Sequence, residues 1–214
     1  MKKLRTYNVC FLGRTGNGKT SLINALYGTN FSTDPLVSCT KEMFTVTVMD
    51  SHPKRKESTT VIDTPGIGEF STDSKYQRFY EHAVSVADCV VIVTTFDRTD
   101  APVQRLLMKL KPFLNKKKKC KMIFALNHID SRIIAGADNT YIPWNEQANT
   151  PSNKCLENIK IRESIIRERF DGRFLPFEIV PVCAMRGYGI ETLKTEINNI
   201  SVSYTHLRAH ETLA

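Results

Sequence analysis

What the chain lacks narrows its class first. No apolar run approaches the roughly 20 residues of a membrane span; the longest strong one is Cys89–Val93. The opening MKKLRTYNVC has a basic tip but neither the apolar segment nor the small-residue cleavage site of a secretory signal. No C-x-x-C pair occurs. The 6 cysteines stand singly at 10, 39, 89, 120, 155 and 183, which argues against a disulfide framework and a zinc site and fits reduced thiols in a cytoplasmic setting. Acidic residues are in deficit, 22 against 30 Lys and Arg, and the net charge of +8 points to an anionic partner. No internal repeat and no second domain is visible. With 214 residues, 41% hydrophobic and 24% charged, the chain is neither a disordered polymer nor a fibre and is long enough for one domain with a substantial core.

Short β-branched runs alternate with helix-like segments. Strands are expected at Tyr7–Leu12, Phe44–Met49, Thr59–Asp63, Cys89–Thr95, Met122–Asn127 and Glu178–Cys183. The polar link His52–Ser58 is short enough to make the second and third an antiparallel pair. Helices are expected at Lys19–Tyr27, Ser74–Ala87, Pro102–Leu114, about Ser152–Phe170 and Ile190–Ile200. Thr150-Pro151 offers the fourth an N-cap and a first-turn proline, and Ile159, Ile161, Ile165 and Ile166 supply its apolar content. This order implies an α/β fold: three layers, a mostly parallel six-stranded sheet with one antiparallel strand, and helices on both faces. Ligands of such sheets bind beyond the carboxyl ends of the strands.

Three motifs follow directly on expected strands. Gly13-Arg14-Thr15-Gly16-Asn17-Gly18-Lys19-Thr20, continued by Ser21, fits G-x-x-x-x-G-K-[ST]. Triphosphate binding needs inward-pointing backbone N–H groups at close range, which side chains at Gly13 or Gly18 would block. Lys19 would supply a cation to the β- and γ-phosphates, and the Thr20 hydroxyl would ligate Mg²⁺. Asp63-Thr64-Pro65-Gly66 ends the third strand; Asp63 can hold Mg²⁺ through water, and the Gly66 N–H can reach a γ-phosphate. Asn127-His128-Ile129-Asp130 follows the fifth. A carboxylate at Asp130 can accept from the ring N1–H and the 2-amine of guanine. Adenine has neither donor and would leave it unpaired.

In this order the motifs resemble the translation-factor-related class of small GTPases over about residues 7–200, and more narrowly the bacterial Era-like, large-ribosomal-subunit-binding GTPases. VIDTPGIGE, the PSNK..ENIK helix and PVCAMRGYGIETL resemble a branch found in prophage-type loci. The resemblance implies a P-loop G domain over 1–200 that hydrolyses GTP to GDP and phosphate with Mg²⁺ and acts as a nucleotide-dependent switch. It implies Thr40 as the switch threonine closing on Mg²⁺ and the γ-phosphate, with Thr33 and Ser38 as competitors. Catalysis would fall to Lys19, Thr40 and Gly66, and metal binding to Thr20, Thr40 and Asp63. Cys183-Ala184-Met185 stands where the family has S-A-[K], so the Ala184 N–H would contact the guanine oxygen.

Three departures matter. His128 replaces the usual Lys of the base-reading motif. Ile67 stands where Ras-like enzymes carry a water-orienting Gln, so hydrolysis is expected to be slow without a partner. Gly16 stands where K⁺-activated relatives carry Asn, with Asn17 one place later. A slow assembly factor on a ribosome or RNA, and a truncated dynamin-like GTPase on an anionic membrane surface, are the rival readings. The run Lys116–Lys119 with Lys121 would touch such a partner or form a solvated loop. The segment Ser131–Asn149, with Trp144, inserts after the base motif and is long enough to cover the base site or bind a partner. Val202–Thr212 resembles a translated transposase-type sequencing adaptor, so 201–214 is set aside as a non-native tail, with the final helix expected to be cut short near Ile200.

Overall fold

The computed structural model describes residues 5–31, 44–49, 57–67, 74–96, 98, 100–114, 120–131 and 141–199. Six strands form one sheet: β1 (Arg5–Gly13), β2 (Phe44–Met49), β3 (Glu57–Asp63), β4 (Cys89–Thr95), β5 (Lys121–Asn127) and, after a two-strand insertion, β8 (Phe177–Pro181). The order is β2-β3-β1-β4-β5-β8. β2 runs antiparallel to β3, with Phe44 opposite Asp63 and Met49 opposite Ser58, and the other pairings are parallel. The expected fold is the observed one.

The period of two along each strand divides the core. Cys10, Leu12, Ile62, Val90, Ile92, Met122 and Phe124 face one side and pack on α2 (Ser74–Val86), α3 (Ala101–Leu114) and the far end of α4 (Asn153–Phe170). Val9, Phe11, Val61, Val91, Val93, Ile123 and Ala125 face the other and pack on α1 (Lys19–Tyr27) and α5 (190–199). β4 is buried along its whole length, as expected of a central parallel strand covered on both faces.

Two expectations for α4 change. Thr150–Pro151 is not the start of the helix but a strand, β7, paired with β6 (Trp144–Asn145). Ser152 is the cap: its Oγ accepts from the Cys155 N–H at 3.2 Å. A serine hydroxyl reaches the third amide as readily as a threonine, and the hairpin takes up the two residues before it. The apolar stripe also differs. Ile159 and Ile166 are buried with Cys155 and Phe170, whereas Ile161 and Ile165 face solvent. Positions 155, 159, 162, 166 and 170 share one helix face, and the buried residue at its centre is Arg162. A third cluster of Leu126, Ile129, Trp144, Cys155, Ile159 and Cys183 seats the hairpin beside the end of β5.

Candidate nucleotide site

The loops after β1, β3, β4, β5 and β8 meet at one end of the sheet. The first loop is held mainly through its backbone. Gly13 lies so close to β4 that an added Cβ would stand 2.5 Å from the Val93 carbonyl oxygen. Asn17 Nδ2 donates to that same carbonyl at 2.8 Å. Gly18 (φ 80°) is the N-cap of α1 and makes no side-chain cap, so the capping residue itself leaves the first-turn amides open to a phosphate. Lys19, buried, donates Nζ to the Gly13 and Arg14 carbonyls at 3.1 and 3.4 Å. Thr20 Oγ1 donates to Asp63 Oδ2 at 2.9 Å. Two of the three groups expected to hold Mg²⁺, Thr20 and Asp63, are therefore together beside Lys19. One hydroxyl and one carboxylate completed by phosphate oxygens and water is a donor set that suits Mg²⁺.

The turn after β3 packs onto this loop. A Cβ on Gly66 would strike Thr15, 2.7 Å from its Cα and 2.8 Å from its N. The Ile67 N–H donates to the Gly13 carbonyl at 3.0 Å. Thr64 Oγ1 donates to the Phe11 carbonyl at 2.7 Å, and the Tyr80 hydroxyl to the Pro65 carbonyl at 2.9 Å; burial pushes that phenol well above its ordinary range. Ile67 itself is in the core at 2% exposure, so its side chain cannot orient water. Thr40, with its competitors Thr33 and Ser38, and the run Lys116–Lys119 lie outside the described residues, as does the tail 201–214.

The base loop joins the phosphate loop through one amide. Asn127, fully buried, donates Nδ2 to the Asn17 carbonyl at 3.0 Å and accepts from the Ala184 N–H at 3.3 Å. His128 turns the chain at φ 56° and puts its imidazole against Gly18, with Nε2 2.9 Å from where a Cβ would lie. The Ser131 N–H closes the turn onto the His128 carbonyl at 2.9 Å. Asp130, part-exposed, accepts at Oδ2 from Arg186 Nε at 3.1 Å. Cys183 is buried, and burial pushes its thiol up to about 11, while Met185 is 90% exposed. All the described candidate residues from 13–21, 63–66, 127–130 and 183–185 thus gather at this end of the sheet.

Three arginines escaped the sequence reading. Arg98, after β4, donates NH1 to the Thr15 carbonyl and covers Gly16, with NH2 3.1 Å from where a Cβ would lie; no local signal marked it. Arg162 holds the loop carrying Arg98. It donates Nε to the Thr95 carbonyl at 3.2 Å and NH2 to Thr94 Oγ1, the Arg98 carbonyl and Asp100 Oδ1 at 3.1, 3.3 and 2.8 Å. A cation on an otherwise apolar helix stripe was its available signal. Arg186 sits one place beyond the expected loop motif, next to two carboxylates that the sequence separates from it.

The model of the family described as 50S ribosome-binding GTPase matches residues 8–128, more than half the chain. The chain belongs to that family. It is a P-loop GTPase, a GTP hydrolase and nucleotide-dependent switch. No match is found among curated protein sequences. Solved structures share the fold at low identity. A bacterial selenocysteine-specific elongation factor, EF-Sec, superposes with a TM-score of 0.64 at 19% identity over 94% of this chain and 29% of its own. Era from Aquifex aeolicus gives 0.59 at 20% over 91% and 57%. Toc33 from Arabidopsis thaliana gives 0.68 at 15% over 93% and 85%. The GTPase thus spans less than a third of the elongation factor. Asp130 and 183–186 lie beyond the family match, so their placement rests on the geometry above.

Proposed function

We propose that this GTPase is a Mg²⁺-dependent switch of the Era-like kind, selective for guanine through Asp130 and slow to hydrolyse GTP alone. The observation that carries the reading is the meeting of Lys19, Thr20, Asp63 and Gly66 on one phosphate loop that Asn127 ties to the base loop. Thr20 and Asp63 would hold Mg²⁺, which when bound neutralises charge developing on the β- and γ-phosphate oxygens. Lys19, now donating to the Gly13 and Arg14 carbonyls, exchanges those acceptors for phosphate oxygens as the triphosphate enters. The Gly66 amide takes the γ-phosphate. Its fit against Thr15 makes that contact sensitive to loss of the phosphate, the step that opens a switch of this type. Buried Ile67 leaves the attacking water without a side-chain director from that position, hence the slow basal rate.

Phosphate release with GTP and with ATP tests the reading. Hydrolysis of GTP and not ATP is expected, and equal use of both would reject guanine selection. Removing Mg²⁺ with a chelator should abolish turnover.

The ribosome is the favoured partner in this reading. The family's description and the +8 charge support it. Single-turnover rates with and without 50S subunits check it: faster hydrolysis on the subunit is expected, and a fast isolated rate would sink the slow-switch reading.

A further inference from the structure

The hairpin inserted between the base loop and α4 has no part in the mechanism above, yet it reaches the base site. Glu146, at its tip, takes NH1 and NH2 of Arg186 at 2.7 and 2.9 Å. The same guanidinium gives Nε to Asp130 Oδ2 at 3.1 Å and lies 4.8 Å from the centre of the Trp144 ring. Trp144 is itself buried, edge-on to Tyr188 at 5.6 Å, with Nε1 donating to Asn149 Oδ1 at 3.2 Å. Ser152 Oγ and N–H bind the Ile142 and Pro143 carbonyls at 2.7 and 2.9 Å, fastening the hairpin to α4. All three guanidinium nitrogens are engaged and one face is covered, so Arg186 is held in one orientation.

We infer that Arg186 is a positioning residue for guanine recognition, aimed onto Asp130 by the inserted hairpin through Glu146 and Trp144. The inference rests on the reading of Asp130 as the guanine-selecting carboxylate. A carboxylate offers about four acceptor positions. Arg186 uses one on Oδ2 and the Cys183 thiol a second, which leaves about two for the ring N1–H and the 2-amine. Cys183, which hydrogen-bonds Asp130 from the adjoining loop, has only a weak S–H donor. A charged guanidinium hydrogen bond does what that thiol does poorly: it fixes the carboxylate's orientation before the base arrives, which lowers the ordering cost of binding.

Calorimetric titration of the full chain with GDP and ADP, together with GTP steady-state kinetics, tests this. Arg186→Ala should weaken GDP binding about tenfold and ADP binding less than about twofold, collapsing the preference, with the effect on GTP falling on KM rather than kcat. Arg186→Lys should recover part of the loss, and Glu146→Gln should weaken GDP about threefold. Melting curves check that each variant is folded. Equal weakening of GDP and ADP would show a merely structural role and overturn the inference. Tighter GDP binding by Arg186→Ala would show that the arginine blocks the base, and would overturn it too. Asp130→Asn separates the two levels. If it moves selectivity toward xanthine nucleotides while Arg186→Ala changes nothing, only the inference about Arg186 falls. If Asp130→Asn leaves selectivity unmoved, the base-reader assignment itself fails and takes the inference with it.

Discussion

The phosphate end and the base end of the site are built from different material. At the phosphate end, glycines let backbone approach backbone: Gly13 lies against Val93 and Gly66 against Thr15, and amides and carbonyls make most of the contacts. At the base end, side chains dominate. Asn127, Asp130, Glu146, Trp144 and Arg186 come from three separate segments and meet through amide, ionic and ring contacts. A site made of backbone is specified by a short local pattern. A site made of side chains is specified by the fold that gathers them. The first end should therefore fail by steric or charge change at one loop, and the second by loss of any of several distant partners.

The largest effect is expected beneath both ends. Arg162→Ala leaves Asp100, 2% exposed, as a buried carboxylate without its cation, and should destabilise the protein by about 3–5 kcal/mol in a urea titration. Retained stability would show that the loop carrying Arg98 is held by other contacts. Lys19→Ala removes the phosphate cation and should lower GTP turnover by about 10²–10³-fold, affecting GTP and any residual ATP use alike. A loss confined to one nucleotide would blur the division between the two ends. Asn127→Ala should act on both at once, because it strands the Asn17 carbonyl and the Ala184 amide. A stability loss of about 1–3 kcal/mol with weaker binding of every nucleotide is expected, and a purely base-specific loss would show that the amide is no bridge.

The smallest effect concerns pH. Burial raises the Cys183 thiol from 9.0 to about 11. Between these values the unfolded chain releases its proton while the folded chain keeps it, so the stability from the neutral thiol is complete below pH 9 and is lost as pH climbs through 11. Melting temperature should fall over that window, and Cys183→Ser should flatten part of the slope. An identical slope in the variant would assign the decline to other groups.

Much of this division was legible in advance. Alternating β-branched runs and helical spacings yielded the sheet and its one antiparallel pair, since each strand reports its buried faces through the residues it carries, whereas the order β2-β3-β1-β4-β5-β8 came only from the structure. The phosphate loop and Asp63–Gly66 were readable because backbone geometry demands glycine at fixed spacing. Asn127–Asp130 was readable as a polar motif after a buried strand. Arg98, Arg162 and Arg186 were not. Their roles depend on which distant carbonyls and carboxylates the fold brings within 3 Å or so, and an arginine codon looks the same at the surface and in a bracket. The shifted start of α4 has a similar cause: Thr150 and Ser152 are both good caps, and only the Trp144–Pro151 pairing decides between them.

The hairpin tip has a consequence of its own. Residues 145–150 are all solvent-facing, and Glu146 at 73% side-chain exposure is the outermost member of the ionic chain ending at Asp130. Anything that grips this tip tugs on the same guanidinium that steadies the purine end. A docking macromolecule would thereby have a lever for loosening spent nucleotide without ever approaching the triphosphate cradle.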